Sequence, residues 1–309
     1  MSDVDRIVLG DDTPVGFIGL GNMGAPIAQR FTAWPGGLVV CDARPEATEK
    51  AVAAGARAVS SAAEVAADAA LVSITVVDDD QVRSVIAGPG GILETARPGT
   101  VVAVHSTISP ETAEELGRLC AEHGLAFVDA PVSGGSSAAE QGRLVFMVGA
   151  DRDVFDGIRP VLSLASDMVM YAGEVGQGTR MKLARNLLHF ISFTAAAEAS
   201  RLAEAAGISV KKLGKVVRQT DSITGGVSAI MVRDTAAPMA ADDFLVPYFE
   251  HTRGLAEKDV SLALQLAEQL GVDLPMGRIA LDGIGDALGI GPGSIATTAR
   301  AESTEESPT

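Results

Sequence analysis

The chain has 309 residues, of which 47% are hydrophobic and 21% charged, and its formal net charge is −16 at pH 7. This length allows one or two domains, and the acidic balance argues against nonspecific affinity for nucleic acid or anionic membranes. No apolar run is long enough to predict a membrane span. Two cysteines and an N-terminus without signal-peptide features favour a protein of the reducing cytoplasm. We predict no metal site.

Strands and helices alternate through the first half of the chain, which predicts a doubly wound α/β domain with a parallel sheet. The predicted strands are 15–19, 38–41, 71–75, 101–104, 126–129, 144–148 and 168–171. The predicted helices between the earlier strands include 25–32, 46–54, 62–66, 79–86 and 110–123. Several strands are apolar throughout, which is typical of a sheet covered on both faces.

The second half of the chain contains only helical patterns. The predicted helices are 179–206, 209–219, 224–233, 251–270 and 276–289. We therefore predict an NAD-binding Rossmann domain over 14–174, an all-helical substrate and oligomerisation domain over 175–290, and a disordered tail over 291–309. The long helix is apolar around much of its circumference, which predicts burial on more than one side and assembly into a homodimer or homotetramer.

A glycine-rich turn follows the first predicted strand. The residues Gly19-Leu20-Gly21-Asn22-Met23-Gly24 carry the spacing G-x-G-x-x-G and open a predicted helix. The first glycine permits a tight turn, the second a close approach of the backbone to a pyrophosphate, and the third close packing of the helix on the strand. Asp42 ends the second strand, 42 − 24 = 18 residues after the last glycine, where a carboxylate binds ribose hydroxyls. The sequence predicts dinucleotide binding, with NAD as the cofactor.

The carboxyl ends of the next two strands should lie beside this turn. In a doubly wound sheet ligands bind at such ends, so the backbone of Val76 and Val77 is predicted to line the cofactor site, with Ser106 and Thr107 above it. His105, at the end of the fourth predicted strand, is a possible catalytic base. It lacks an acidic partner nearby in the sequence, and a structural role is the favoured alternative.

Two further segments carry candidate chemistry. Small residues after strand 126–129 include Ser133, Gly134 and Gly135, whose N–H groups could form an anion nest for a substrate carboxylate, with a plain turn as the alternative. Lys182 and Asn186 lie one turn apart at the start of the long helix, so they share a face. A lysine there opposes the helix dipole, which suggests a functional use as acid/base during hydride transfer, with an ordinary surface lysine as the alternative.

Together these motifs resemble those of the β-hydroxyacid dehydrogenase family, over about residues 14–290. The motifs are GFIGLGNMG at 16–24, STISP at 106–110, DAPVSGG at 129–135, G-x-G-x-x-x-K-L-x-x-N ending at Asn186, and KD at 258–259. The resemblance implies a Rossmann domain, a helical domain that forms dimers or tetramers, and a small carboxylate substrate. It implies Lys182 as catalytic acid/base assisted by Asn186, the carboxylate bound at 133–135, and cofactor contacts from Thr107 and Lys258. Without the resemblance, the spacing around Lys258 favours a solvated charged turn.

Some positions depart from the family pattern. Val77 replaces a usual proline, Val104 a frequent aspartate, and Arg185 the first of two asparagines, so the substrate is less defined than the reaction. Family members that use NADP tend to carry Asn-Arg-Thr where this chain has Asp42 followed by Ala43 and Arg44. Asp42 favours NAD, although Arg44 could reach a 2′-phosphate. The alternatives are an imine reductase-like NADP enzyme and a noncatalytic nucleotide-binding module.

Overall fold

A computed structural model gives the structure of residues 9–291. Nine strands in this part of the chain form one sheet, in the order β3-β2-β1-β4-β5-β6-β8-β7, with β9 paired to β8. The strands are β1 Val15–Ile18, β2 Leu38–Cys41, β3 Arg57–Ala58, β4 Leu71–Ile74, β5 Val101–Val104, β6 Ala126–Asp129, β7 Val132–Ser133, β8 Leu144–Gly149 and β9 Ser166–Gly173. Pairing is parallel from β3 to β6, and β8 runs antiparallel to β6 and β7.

Eleven α-helices lie within the described residues. They are α1 Gly24–Phe31, α2 Glu49–Ala53, α3 Ala62–Asp68, α4 Asp79–Ala87, α5 Pro110–Glu122, α6 Gly135–Gln141, α7 Arg152–Leu162, α8 Gln177–Ala205, α9 Val210–Thr224, α10 Val246–Leu270 and α11 Pro275–Ala287. The predicted α/β sheet followed by helices is confirmed. The chain divides into two compact units between Asn186 and Leu187.

Both faces of the sheet are covered. Alternate residues of one strand enter different apolar clusters: Val101 and Ala103 of β5 face one cluster, and Val102 and Val104 face the other. This alternation explains why the strands are apolar throughout, since a parallel sheet with helices on both sides has no polar face. The strand order reverses at β1, which has β2 on one side and β4 on the other. This arrangement places the carboxyl ends of β1 and β4 at the switch point, where doubly wound folds bind ligands.

The predicted helix over 224–233 is wrong. Only a short 3₁₀ turn, Gly226–Ser228, forms there. Gly225 ends α9 in the left-handed conformation with φ 87°, and Gly226 follows with φ 56°. Two successive residues with positive φ cannot continue a right-handed helix, so the chain leaves the helical path.

Four elements were not predicted: β3, β7, α6 and α7. The two strands have only two residues each, too few for any periodic signal. Helix α7 does carry a helical pattern, because its buried residues recur at helical spacing. These residues are Val154, Phe155, Ile158, Val161 and Leu162. The disordered tail predicted from residue 291 lies, after Gly291 itself, outside the described residues.

Candidate active site

The glycine turn has the geometry of a backbone surface open to a ligand. Gly19 has φ 90°, and a side chain there would overlap the carbonyl of Thr75. A side chain at Gly24 would overlap the Gly19 carbonyl, so only glycine lets α1 start this close to β1. At Gly21 an added Cβ would meet nothing within 4 Å. Met23, the N-cap residue of α1, makes no side-chain hydrogen bond to the first turn. The first turn of α1 therefore has no side-chain cap, and the backbone at Gly21 can be approached closely.

Asp42 is bonded directly to this turn. Its Oδ2 accepts a hydrogen bond of 2.6 Å from the Leu20 N–H, and its Oδ1 accepts one of 2.8 Å from the Arg44 N–H. The Arg44 side chain is mostly exposed, with its Nε 3.7 Å from the same Oδ1. Each carboxylate oxygen has a second lone pair, so Asp42 can still accept hydrogen bonds from ribose hydroxyls. The structure thus brings together the two predicted halves of the dinucleotide motif.

The ends of β4 and β5 are joined through a serine. The Ser106 hydroxyl accepts a hydrogen bond of 2.9 Å from the Val76 N–H and donates one of 2.7 Å to the Val76 carbonyl. Val77 is 81% exposed, and Thr107 is also exposed. Val77 follows β4, which is adjacent to β1, and Thr107 follows β5, the next strand beyond β4. Both leave apolar and hydroxyl groups free for a ligand near the switch point.

His105 is part of the core of the first unit. It is 3% exposed and stacks on Phe17. Its Nδ1 lies 3.0 Å from the Ala130 carbonyl and its Nε2 lies 3.0 Å from the Ser73 hydroxyl. A carbonyl can only accept, so Nδ1 carries the proton and Nε2 accepts from serine. Burial lowers the pKa of His105 to about 4. Both ring nitrogens therefore make hydrogen bonds inside the protein. This agrees with a structural role for His105, the alternative to a catalytic base.

Lys182 lies on the part of α8 that belongs to the first unit, and its side chain points to the segment around Val132. It is 9% exposed, and its ammonium donates a hydrogen bond of 2.6 Å to the Val132 carbonyl. Burial lowers the pKa of the Lys182 amine, and the nearby Arg185 guanidinium lowers it further. Asn186, one turn on, is half-buried, and its Oδ1 accepts a hydrogen bond of 3.3 Å from Arg185. The lysine thus has a fixed position and a lowered pKa, two features that favour proton transfer by an amine.

The segment that receives Lys182 also contains the predicted carboxylate site. Ser133 ends β7 and pairs with Val145 of β8, and the next two residues are exposed glycines. Gly134 has φ 131° and Gly135 has φ 76°, conformations that favour glycine. Because Lys182 bonds to the carbonyl of residue 132, its ammonium lies beside Ser133. The structure brings together these two predicted parts of the site.

Asp129 is a site-supporting residue that the sequence analysis missed. Its side chain is fully buried, and its carboxylate accepts hydrogen bonds of 2.7 Å from the Gly176 N–H and 2.6 Å from the Thr179 N–H. Burial raises the pKa of this carboxyl, against the opposing effect of the two N–H donors. The bonds join the end of β6 to the start of α8, the helix that carries Lys182. The sequence feature that could have identified Asp129 is its position at the end of a strand, directly before the segment of small residues.

Lys258 lies in α10 of the second unit, where its ammonium is 3.1 Å from the Asp259 carboxylate. Its side chain is 62% exposed. Among residues 9–291, no three His, Cys, Asp or Glu side chains converge as metal ligands would. None of the helices in this range is long and apolar enough to cross a membrane.

Comparison with known proteins gives matches over nearly the whole chain. A family model described as the NAD binding domain of 6-phosphogluconate dehydrogenase matches residues 14–173. A second, described as the NAD-binding domain of NADP-dependent 3-hydroxyisobutyrate dehydrogenase, matches residues 176–288. These models support an NAD(P)-binding protein and do not distinguish the two cofactors.

Individual proteins agree with the family models. An uncharacterized oxidoreductase of Mycobacterium tuberculosis is 53% identical over 280 residues, which cover 90% of this chain and 95% of the relative. The 2-(hydroxymethyl)glutarate dehydrogenase of Eubacterium barkeri is 33% identical over 90% of each chain. The crystal structure of a Mycobacterium avium oxidoreductase is 54% identical, covers 89% of this chain and 98% of its own, and superposes with a TM-score of 0.85. The chain therefore belongs to the β-hydroxyacid dehydrogenase family, whose members are NAD(P)-dependent oxidoreductases of 3-hydroxy acids.

Proposed function

We propose that this protein is an NAD-dependent dehydrogenase that transfers hydride between the nicotinamide and a small, 3-hydroxyisobutyrate-like 3-hydroxy acid. The observation that carries the proposal is the buried Lys182, whose ammonium is fixed against the Val132 carbonyl beside Ser133. A surface lysine would not be desolvated in this way. When bound, NAD supplies the acceptor for the hydride.

Lys182 acts as the acid/base. Oxidation of a hydroxyl releases a proton as the hydride leaves, so a neutral amine must stand ready to take it. The lowered pKa increases the neutral fraction of Lys182 at a given pH. The Val132 carbonyl accepts one N–H of Lys182 and so orients Nζ. The other hydrogen and the lone pair of the neutral amine are then available to the substrate oxygen. Asn186, on the same helix face, orients the substrate hydroxyl.

The substrate carboxylate binds at Ser133, Gly134 and Gly135. The exposed glycines with positive φ leave their N–H groups accessible, and successive N–H groups in such conformations form anion-binding concavities. A carboxylate held there by N–H donors and the serine hydroxyl leaves Lys182 free for the adjacent hydroxyl. This division of roles matches a 3-hydroxy acid, in which the two groups are separated by two carbon atoms.

The cofactor site combines the glycine turn with the neighbouring strand ends. Residues 19–24 hold the pyrophosphate by the open backbone around Gly21, and Asp42 accepts hydrogen bonds from the ribose. Val76, Val77 and Thr107 line the site, and the family resemblance assigns a cofactor contact to Lys258. We propose NAD because a 2′-phosphate would meet the Asp42 carboxylate.

We further propose a homodimer or homotetramer assembled through the helices, and a cytoplasmic location. Large apolar side chains of α8 are exposed in the single chain: Phe190 is 59% and Phe193 is 57% exposed. Such side chains are expected to be covered by a second copy. We also propose that the functional boundary between the NAD-binding domain and the helical domain lies at residues 174/175. This boundary places all of α8, with Lys182, in the helical domain.

A single activity screen tests the proposal. Purified enzyme is assayed with NAD and with NADP against 3-hydroxyisobutyrate and related 3-hydroxy and 2-hydroxy acids. We expect 3-hydroxy acids to be oxidised with NAD preferred, and Asp42→Ala to reduce that preference. Lys182→Ala should lower kcat by roughly 100-fold or more while leaving NAD binding nearly intact, the usual scale for losing a general base. Lys182→Arg should fail as well, because arginine stays protonated. Near-normal turnover by Lys182→Ala would contradict the mechanism, and a preference for NADP would contradict the cofactor assignment.

A further inference from the structure

Arg185 is a cation of the candidate site to which the proposed reaction assigns no role. It lies three residues after Lys182 on α8, so the two side chains occupy neighbouring positions on one helix face. Its guanidinium contacts the neutral amide oxygen of Asn186 at 3.3 Å. Within residues 9–291, no carboxylate lies within 4.0 Å of it. Arg180, two residues before Lys182, differs in this respect because it forms an ion pair of 2.7 Å with Glu114.

The charge of Arg185 is exposed, and it is not balanced by a carboxylate among the described residues. Two like charges one turn apart on a helix destabilise it. The chain has 40 acidic residues against 24 Lys and Arg, so carboxylates are abundant elsewhere. An unpaired arginine beside a buried lysine in such an acidic protein marks a local region of positive potential, which is suited to an anion.

In the proposed function, the first carboxylate of the substrate does not bind the Arg185 guanidinium. That carboxylate is bound by Ser133, Gly134 and Gly135, and the reacting hydroxyl is bound by Lys182. Arg185 lies about 4.5 Å further along the helix axis than Lys182. A second anionic group, a few carbon atoms beyond the hydroxyl-bearing part of the substrate, could therefore reach the guanidinium without displacing either of the other contacts.

We propose that Arg185 is a specificity-determining residue that binds a second anionic group, a carboxylate or a phosphate-type group, on the 3-hydroxy acid. The proposal rests on the proposed function and names its substrate class: 3-hydroxy acids that carry two anionic groups. The planar guanidinium pairs with two oxygens of one anion at once, which an ammonium does not.

The test compares ligands that differ only in the second charge. The full-length enzyme is assayed with 2-(hydroxymethyl)glutarate and with its 5-amide, which has nearly the same shape and only one carboxylate. We expect kcat/KM for the diacid to exceed that for the amide by about 10-fold or more, since hydrogen bonds between two charged groups are stronger than those to a neutral amide. Arg185→Gln should reduce the ratio to about 1, chiefly through KM for the diacid, and Arg185→Lys should restore it in part. The ratio cancels any general effect of Arg185 on Lys182.

Arg180→Gln is the matched control, because it removes the same charge from the same helix, and its ratio should stay at the wild-type value. A substrate analogue with a phosphonate in place of the second carboxylate distinguishes the two anion types. The preferred type is the one that gives the higher kcat/KM. Equal kcat/KM for diacid and amide in the wild type, or an unchanged ratio in Arg185→Gln, would overturn the proposal.

A binding measurement separates this proposal from the proposed function. 2-Methylglutarate and its 5-amide lack the reacting hydroxyl, so calorimetry reports their affinity for the enzyme without any turnover. Selective binding of the diacid that disappears in Arg185→Gln would support the role of Arg185 even if no hydroxy acid were oxidised. Oxidation of monocarboxylate 3-hydroxy acids without such selectivity would leave the proposed function standing and remove the assignment of Arg185.

Discussion

The two units of the chain bury their apolar side chains to very different extents. In the first unit Phe17, Phe31 and Phe146 are fully buried, and both faces of the sheet are covered by helices. In the second unit Phe190 and Phe193 are more than half exposed, and Ile223 is 75% exposed. The helices α8 to α11 are thus apolar enough for a core but leave much of that surface uncovered. The comparison indicates a first unit stabilised by its own packing and a second unit with exposed apolar surface, which the proposed assembly would cover.

Both units nevertheless use the same polar device. Asp129 caps the start of α8 in the first unit, and Glu198 caps the start of α11 in the second, accepting hydrogen bonds of 2.8 Å from Met276 and 3.1 Å from Gly277. Each is a buried carboxylate that satisfies N–H groups of a helix distant in sequence. Only the Asp129 cap supports a helix turn next to Lys182, so loss of the two caps should have different functional consequences.

The largest expected effect comes from charging the exposed face of α8. Phe190→Glu combined with Phe193→Glu places two carboxylates in the proposed contact between copies. Buried aromatic residues at interface centres contribute about 2 kcal/mol or more each, so the dissociation constant should rise at least about 100-fold. Sedimentation velocity at micromolar concentration measures the change.

Val52→Glu is the control for this variant, because Val52 is 44% exposed in the first unit. This substitution should leave assembly unaffected. A wild-type monomer at micromolar concentration would contradict the contrast between the units. So would a double variant that assembles as the wild type does.

The next effect concerns the two buried carboxylates. Asp129→Asn leaves one N–H of α8 facing an amide N–H, and loss of a bond to a charged group should lower the free energy of unfolding by about 2 kcal/mol. Fluorescence of Trp34 measures it, since Trp34 is the single tryptophan and is buried in the first unit. We expect Asp129→Asn to reduce kcat as well, because the position of Lys182 becomes less defined.

Glu198→Gln is the counterpart in the second unit. It should lower helical stability, followed by circular dichroism, without moving the Trp34 transition and without changing kcat for a monocarboxylate substrate. If both variants shift the Trp34 transition equally, the two units unfold together. The first unit would then not be stable independently of the second, against the contrast drawn above.

The last effect, similar in size to that of Asp129→Asn, is the pH dependence of the first unit's core. The folded pKa of His105, about 4, lies below its ordinary value of 6.5, so the unfolded chain binds the proton more tightly. The stability from neutral His105 is complete above about pH 6.5 and is lost as the pH falls towards 4. Between about pH 7.5 and pH 5 this loss amounts to roughly 2 kcal/mol. Urea unfolding followed by Trp34 should show the loss in the wild type.

His105→Asn should lack this pH-dependent contribution, because asparagine does not titrate and its amide can still donate to the Ala130 carbonyl. A parallel decline of both proteins with falling pH would show that His105 is not the group responsible.

Much of the architecture could be predicted because its signals are local. Apolar strands, the glycine turn and the start of the helix predicted over 110–123 depend on residues close together in sequence, and the structure has them where expected. The helix over 224–233 failed because two consecutive glycines override a favourable composition. The roles of the site residues stay predictions, although the structure places Asp42 against the glycine turn and Lys182 against the segment before Ser133.

The sequence by itself determined the alternation of strands and helices in the first half, the helical second half and the dinucleotide motif, and it predicted Lys182 rather than His105 as the reactive group. Only the tertiary structure decided how that lysine is held, because a hydrogen bond from Lys182 to Val132 joins residues fifty positions apart. The same holds for the Asp129 cap, the burial of His105 between Ser73 and Ala130, and the unpaired charge of Arg185. Periodicity and turn chemistry act over a few residues and are visible in sequence, whereas desolvation and charge pairing depend on which distant groups the fold brings into contact.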